Sequence, residues 1–489
     1  MKRLFLIVLL LLPLTSFAKE KVIINEQTLK ELVNNDVPSI EKINTMIVQS
    51  NLERTQYNQK YSPFVNAEAS YAGVDGKMYS GYNGGYDDPA SRVGVSVNQN
   101  LPIGMSFDIG VYNGYSKSFT YSPYGDFKYS QYDSNIEAKL SIDLWKNLLG
   151  YSERSERLGL KINEQEKEEQ AKLERIKFYN EIRKMYWNLN VSNSLTKVYE
   201  SLIKQAELQE KNIRRMYKSS VADKGDLARA TAVVNTRKSD LLSVEYNMKQ
   251  IKQQLSNLIP SLNNKELVFE YTNYDKSRDK ILACFNKIKD KKETPFDLSS
   301  YTKLIRYKDE RIKANLKSLE RYSDLNVKLE AKASSLGFGD KNGDSFSDMV
   351  DLDRRDYSVG LNLSMPFGSN YTNTKENQMK ILKMQYNAEK KEIISNLNSF
   401  HDYFSATLTN LFQIREQQKE YRDNLLIRVK SMRTKYNQGR IALSDLIQDE
   451  DSLFESELGI IRTNYNIVAL MIDYFTIFND LDCEFNIKL

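Results

Sequence analysis

The chain repeats itself, and few sequence features restrict a fold more. A shift of 219 residues lays Arg214 and Tyr217 on Arg433 and Tyr436, Asp226-Leu227 on Asp445-Leu446, and Tyr246-Asn247 on Tyr465-Asn466. Such a chain is expected to build its architecture from one structural unit used twice. Upstream the shift grows to 261, where Lys60-Tyr61-Ser62 matches Arg321-Tyr322-Ser323. The first copy is therefore longer by 261 − 219 = 42 residues between the Tyr-Ser pair and the helical tip.

Part of each copy alternates with period two, the mark of half-buried strands. In the first, Val65, Ala67, Ala69 and Tyr71 alternate with Asn66, Glu68 and Ser70; Ile136, Ala138, Leu140, Ile142 and Leu144 alternate with Glu137, Lys139, Ser141 and Asp143. The second has the same pattern at 325–334 and 357–365. Copy one adds strands at 93–97 and 105–111, joined by the tight turn Leu101-Pro102-Ile103-Gly104. One such hairpin plus a long loop accounts for the 42-residue excess. Tyr/Gly/Asp-rich loops at 74–89, 116–130 and 336–354 contrast with that short turn, as in bacterial transmembrane barrels. Tyrosines crowd the region, including Tyr79, Tyr82, Tyr86, Tyr115, Tyr121, Tyr124 and Tyr129; Tyr71, Tyr112, Tyr132 and Tyr357 are candidates for an interfacial aromatic girdle. A soluble β-sandwich face would alternate equally well.

Lys2 and Arg3, the apolar residues 4–14 and the small-x-small site Ser16-Phe17-Ala18 read as a secretory signal peptide at 1–18. After Ala18 no window approaches the ~20 apolar residues of a spanning helix. If the mature chain enters a membrane it must do so as a β-barrel, the other structure that satisfies every backbone group in lipid.

Residues 150–218 and 370–437 contain no proline, almost no glycine and apolar positions at helical spacing, such as Leu195, Val198, Leu202 and Ala206. Each predicts a helix of roughly 100 Å, followed by a turn (219–225, 438–444) and a returning helix (226–259, 445–480). Stalks of this kind bury a thin apolar stripe, so oligomerisation is expected. A soluble coiled-coil rod leaves the strands, at the same place in both copies, unexplained. The remaining segments, 19–40, 260–300 and 482–489, mix a helical pattern at 27–34 with strand-like pieces at 267–271 and 484–489.

Composition narrows the chemistry. With one histidine, His401, and two cysteines, Cys284 and Cys483, most metal centres and Cys/His catalytic designs are excluded, and one disulfide at most can form. No cofactor and no enzymatic activity are expected. The 70 basic and 65 acidic residues are interspersed, which fits solvated helix faces and not a nucleic-acid footprint.

The twofold strand-and-helical-hairpin pattern, with the tip sequence Tyr436-x-x-Gly439-x-x-x-x-x-Asp445-Leu446, resembles the TolC-type outer membrane efflux proteins over essentially the whole mature chain. The first tip departs from it, with Ser220 at the glycine position. The resemblance implies an α+β membrane protein: a homotrimer whose outer-membrane β-barrel continues into a long periplasmic α-helical barrel, built from two tandem repeats per chain. The implied division is a signal peptide at 1–18, a periplasmic helix and waist segment at 19–60, strands at 61–145 with the extra hairpin near 90–115, and helices at 146–260. A second waist segment and helix at 261–321, strands at 322–367, helices at 368–480 and a waist tail at 481–489 complete it. Six strands per chain imply an 18-stranded barrel, against twelve if the extra hairpin folds outside the wall.

The same resemblance implies a passive exit duct of a tripartite efflux pump or a type I secretion system. Its partners would be outer-membrane lipid, a periplasmic adaptor (membrane fusion) protein and an inner-membrane transporter, with no nucleic acid. The family's periplasmic gate falls on Asp445; its second acid falls on Gln448, with Asp449 beside it, and Arg440 and Arg433 are candidate pairing partners. Ser219, Ser220, Asp226, Arg229 and Gly439 are implied adaptor contacts at the tips. Asp445 also reads as the cap of a helix opened by Ser444-Asp445, and one residue can do both; the first tip reads equally as turn and capping chemistry. The competing function is a stand-alone outer-membrane porin or adhesin with a helical stalk.

Overall fold

The computed structural model of the protein describes residues 21–34, 37–72, 78–79, 84–86, 90–120, 127–289, 294–320, 325–365, 369–479 and 481–487. The expected signal peptide lies outside them, as do Tyr82, Tyr121 and Tyr124 and parts of the loops at 74–89 and 116–130.

In chain order, strand β1 (Lys21–Ile24) leads to α1 (Glu26–Val33), opened by a capping box in which Asn25 accepts from the Thr28 amide and Thr28 from the Asn25 amide. Helix α2 (Pro38–Gln59) follows, then β2 (Phe64–Ala72), the short β3 (Met78–Tyr79) and β4 (Gly84–Tyr86), β5 (Ala90–Leu101), β6 (Met105–Thr120) and β7 (Phe127–Asp143). Next come the 68-residue α3 (Tyr151–Lys218), α4 (Lys224–Leu258), β8 (Glu266–Phe269), α5 (Tyr274–Lys289), α6 (Pro295–Leu298) and α7 (Tyr301–Leu319). The chain ends with β9 (Asn326–Gly339), α8 (Asn342–Val350), β10 (Arg355–Ser364), the 69-residue α9 (Ser369–Asn437) and α10 (Leu443–Ile477).

The chain divides into two compact units. One, comprising Met46–Glu169 and Lys303–Ile393, holds the large sheet. Its six long strands pair antiparallel in the order β2-β5-β6-β7-β9-β10, with β4 and β3 continuing from β6. The extra hairpin is β5 and β6, inside the sheet between β2 and β7. Its turn rests on the β7-to-α3 junction, where Leu149 (φ 53°) and Gly150 (φ 73°) bend the chain into the helix. A Cβ on Gly150 would lie 2.0 Å from the Pro102 carbonyl oxygen, so that approach requires glycine.

Register decides which face each side chain takes. One row across the sheet reads Phe64, Asn98, Asp108, Lys139, Lys332 and Ser358. Its neighbours on the same face carry cross-strand ion pairs, Arg92–Glu68 (3.2 Å), Lys332–Glu137 (2.8 Å) and Lys139–Glu330 (3.8 Å). The opposite face is apolar in every strand: Val65 to Tyr71, Val93 to Val97, Met105 to Val111, Ile136 to Ile142, Val327 to Ala333 and Tyr357 to Leu363 at alternate positions. Much of it is bare; Tyr357 is 83% exposed and Val359 72%.

Tyr71, Tyr132 and Tyr357 belong to this apolar face. Tyr112 does not. It pairs with Gly94 and Asn135 on the polar face, where its ring lies over Gly94 and Gly110 and under the Arg92 guanidinium (4.4 Å). Another expectation needs correcting as well: residues 336–354 are not a loop, since β9 runs on to Gly339 and α8 fills most of the rest. Among the described residues the two outer strands, β2 and β10, have one neighbour each, so the sheet is open.

The other unit comprises Met1–Thr45, Gln170–Thr302 and Ile394–Leu489. Strands β1 and β8 pair in parallel, and Cys284 of α5 is disulfide-bonded to Cys483 with 5.4 Å between Cα atoms. The tail expected to be strand-like at 484–489 contains no strand among its described residues. Instead Phe485 packs on Trp187 and Phe475, and its carbonyl accepts from Arg183. Arg183, 0% exposed, also donates to Glu26, as does the Trp187 indole (2.7 Å). His401 faces Tyr474 and Phe478, and burial holds its imidazole below the usual pKa against the pull of Asp402.

Candidate functional site: the helical tips

Both helical hairpins turn by the same backbone device. At the first, Ser220 adopts φ 56° and the Val221 amide reaches back to the Met216 carbonyl (2.8 Å). At the second, Gly439 adopts φ 69° and the Arg440 amide reaches the Lys435 carbonyl (2.9 Å). These are left-handed helix endings, natural for Gly439 and strained for Ser220. Beyond the turns the tips differ. Asp223 caps α4, its carboxylate accepting from the Asp226 amide (2.7 Å). Its counterpart 219 residues on is Ala442, which caps α10 with no side-chain bond.

The two tips share a small core. Ile213, Ala230 and Leu443 are buried together, with Ala222, Leu227, Tyr436 and Ile447 packed around them. This fixes which side of α10 turns inward. Leu443, Leu446 and Asp449 follow at three-residue steps and all are buried. Asp449, 4% exposed, is held by two bonds from Arg428 of α9, Nε to Oδ2 at 2.9 Å and a terminal nitrogen to Oδ1 at 2.8 Å. It is therefore an internal ion-pair partner and not a free gate acid, which corrects the expectation from sequence. Arg433 likewise binds Glu450 (2.8 Å) and Gln205 (2.7 Å), not Asp445.

Asp445 is exposed at the third residue of α10, where its carboxylate accepts from the Ser444 hydroxyl (3.3 Å). It is not the N-cap; that position is Ala442. Its charge still favours the helix N-terminus through the backbone dipole. Arg440 is exposed and donates to Gln438 (3.4 Å). Gln448 and Arg229 come together on an open groove of about 750 Å³, which Ser444, Asp451, Ser452 and Gly459 also line. Burial raises the Asp451 pKa, against Arg237, which donates to it. A second groove of about 680 Å³ gathers Arg215, Val221, Tyr436 and Gly439. Ser219 and Ser220 are exposed on the first turn, and Asp226 is half-buried beside Tyr436, whose pKa is raised by burial and by that carboxylate. Among the described residues, no cluster of three metal-ligating side chains occurs, and no helix is long and apolar enough to cross a membrane.

No family model matches the chain, and no curated protein matches it in sequence. Solved structures do match. One is CusC, described with the conformational changes of its folding and transmembrane channel formation: TM-score 0.66, 12% identity, 92% of this chain and 91% of that one. The outer membrane protein VceC of Vibrio cholerae follows at 0.60, 11% identity, 92% and 94%. The MtrE outer membrane channel of Neisseria gonorrhoeae, in its open state, gives 0.59, 13% identity, 92% and 88%.

Proposed function

We propose that this chain, which has the fold of the TolC-type outer membrane efflux channels, is the outer-membrane exit duct of a tripartite efflux pump or a type I secretion system. The observation that carries the reading is the open sheet: six long strands, one face apolar, both edges unpaired, with α2, α3, α7 and α9 all joined to it at the same end. An edge cannot face lipid, because its amides and carbonyls would go unbonded.

Three copies, secreted by the signal peptide and each built of two repeats, would close the sheets into an 18-stranded barrel. Strand β2 of one copy would lie antiparallel to β10 of the next. Placing Val65 opposite Leu363 and Tyr71 opposite Tyr357 keeps every apolar residue on one face. Phe64, level with Ser358 in its own sheet, then faces Ser364 of the neighbour, a stagger of 364 − 358 = 6 residues per copy. At ~3.3 Å per residue along the strand and ~4.8 Å per strand across six strands, the strands tilt by roughly 35°, inside the range of known barrels.

The polar face then lines the lumen and the helices form the periplasmic tunnel. Asp445, exposed at its tip, is the proposed gate acid, repeated three times around the axis; such a ring attracts cations and resists closure unless neutralised. Ser219, Ser220, Asp226, Arg229 and Gly439 are the proposed contacts of a periplasmic adaptor that bridges to an inner-membrane transporter. No step of this requires catalysis or a cofactor. Single-channel conductance in planar bilayers tests the reading. A small cation-selective conductance, enlarged or less selective in Asp445→Ala, is the expected result. A large conductance indifferent to that change would favour an ungated porin instead.

A further inference from the structure

We propose that helix α8 is a membrane-interface helix, whose exposed apolar flank lies in the outer-leaflet boundary between lipid headgroups and acyl chains. The inference rests on the preceding reading, in which the apolar face of the sheet meets lipid. It adds a lipid contact made outside the barrel wall by a helix.

The apolar band of the sheet stops abruptly toward the end opposite α2, α3, α7 and α9. From Met105 to Val111 and from Ile142 to Ile136 each strand offers about 20 Å of apolar alternation; beyond it the same face carries Asn113, Ser134, Ser335 and Gly337. Helix α8 sits on that polar row. Asn113 donates to Ser134 (2.8 Å) and to Asn342 (2.7 Å), the Ser134 and Ser345 hydroxyls are 2.9 Å apart, and Ser335 donates to the Met349 carbonyl (2.8 Å). The approach is backbone to backbone: a Cβ on Gly337 would lie 2.0 Å from the Ser345 carbonyl oxygen. The helix thus covers polar groups that would otherwise face lipid, on the lipid side of the sheet.

Its own orientation is then fixed. Ser345 and Met349 point into the sheet and are buried. At about 100° per residue, Phe346 and Val350 fall on one flank and Asp344 and Asp348 roughly opposite. Asp348 accepts from the Phe338 amide (2.9 Å), beyond Gly337 toward the C-terminal end of β9. The acidic flank therefore turns away from the apolar band and the apolar flank turns toward it. Phe346 (48%) and Val350 (59%) stand exposed there. A short amphipathic helix continuous with a lipid-facing surface, acidic side outward, has the layout of an interfacial helix.

Both native cysteines are consumed in the disulfide, so a single introduced cysteine labels cleanly. The full chain, spin-labelled at Phe346→Cys or Val350→Cys and reconstituted in phosphatidylethanolamine–phosphatidylglycerol vesicles, is compared with Leu361→Cys in the band and Asp344→Cys on the acidic flank. All four positions are exposed, so the fold does not depend on them. Labels at 346 and 350 are expected to favour oxygen over a water-soluble nickel chelate, at a shallower depth than 361, with 344 favouring the chelate. Labels at 346 and 350 that match 344 while 361 remains deep would overturn the inference and leave the barrel reading intact. Shielding of 346 and 350 from both reagents would put protein there and overturn it too. A label at 361 favouring the chelate would instead refute the lipid-facing sheet itself.

Discussion

The Arg428–Asp449 pair makes a demanding test, because Asp445 and Asp449, four residues apart on α10, are assigned opposite roles. Removing Arg428 leaves a carboxylate 4% exposed with neither of its guanidinium bonds. Breaking a fully buried pair in this way costs about 3–5 kcal/mol. The Arg428 side chain is itself 64% exposed, so water can enter the space it leaves, and we discount the cost to roughly 1.5–2 kcal/mol. Since 1.4 kcal/mol is a factor of ten, Arg428→Ala should speed amide exchange in the first turns of α10 by roughly ten- to thirtyfold. Asp449→Ala should do less, because the orphaned Arg428 can turn into solvent, and the double variant should exchange more slowly than Arg428→Ala alone. Hydrogen exchange read by mass spectrometry on peptides covering 443–452 makes the comparison. Asp445→Ala should leave this exchange within about twofold of wild type, since its carboxylate holds no part of the core. The reasoning fails if Asp449→Ala alters conductance and selectivity as a gate acid should while Arg428→Ala leaves exchange unchanged.

Three further outcomes are expected. Ser220→Gly should stabilise the first tip by about 1 kcal/mol, by relieving a left-handed backbone, and Gly439→Ser should destabilise the second by a similar amount; exchange of the tip peptides reads both. Cys483→Ser should free the C-terminal tail from α5 and lower stability by about 2–5 kcal/mol, measured as a lower Tm that reductant reproduces in the wild type and not in the variant. Cysteines at Ala67 and Leu361 should link neighbouring copies into a covalent trimer on oxidation; a pair one residue out of register, at Ala67 and Asn362, should not, because its side chains leave opposite faces.

Much of this architecture was legible in the residues. Two stretches without proline and with hardly a glycine fold into helices of 68 and 69 residues. Alternation located all six long strands, because a strand wetted on one face and greasy on the other has to alternate. The misreadings have physical causes. Tyr112 resembles the girdle residues by type, although parity with Asp108 and Gly110 puts it on the polar side. Adjacency in sequence associates Asp449 with Gln448, whereas three-residue steps from Leu443 and Leu446 place it on the buried stripe. Its partner Arg428 lies on another helix, beyond the reach of any local pattern. Helix α8 read as loop because its contacts are serines and glycines, which look like turn residues until a sheet approaches them. The cysteines allowed one bridge and the fold forms it, joining positions 199 apart.

The inserted hairpin has an architectural consequence. It enters the sheet from the outer end and leaves by the same end, so β7 still points toward α3 as it would had the insert never been made. Strands can therefore be gained or lost only in pairs per chain, and in the proposed trimer each pair would widen the barrel by six strands. Helix α3 leaves in the same direction, and the join is marked by the close approach of Pro102 to Gly150 and of Gly104 to Asn147. In the proposed trimer the calibre of the barrel could thus drift in evolution with no change to the helical tips.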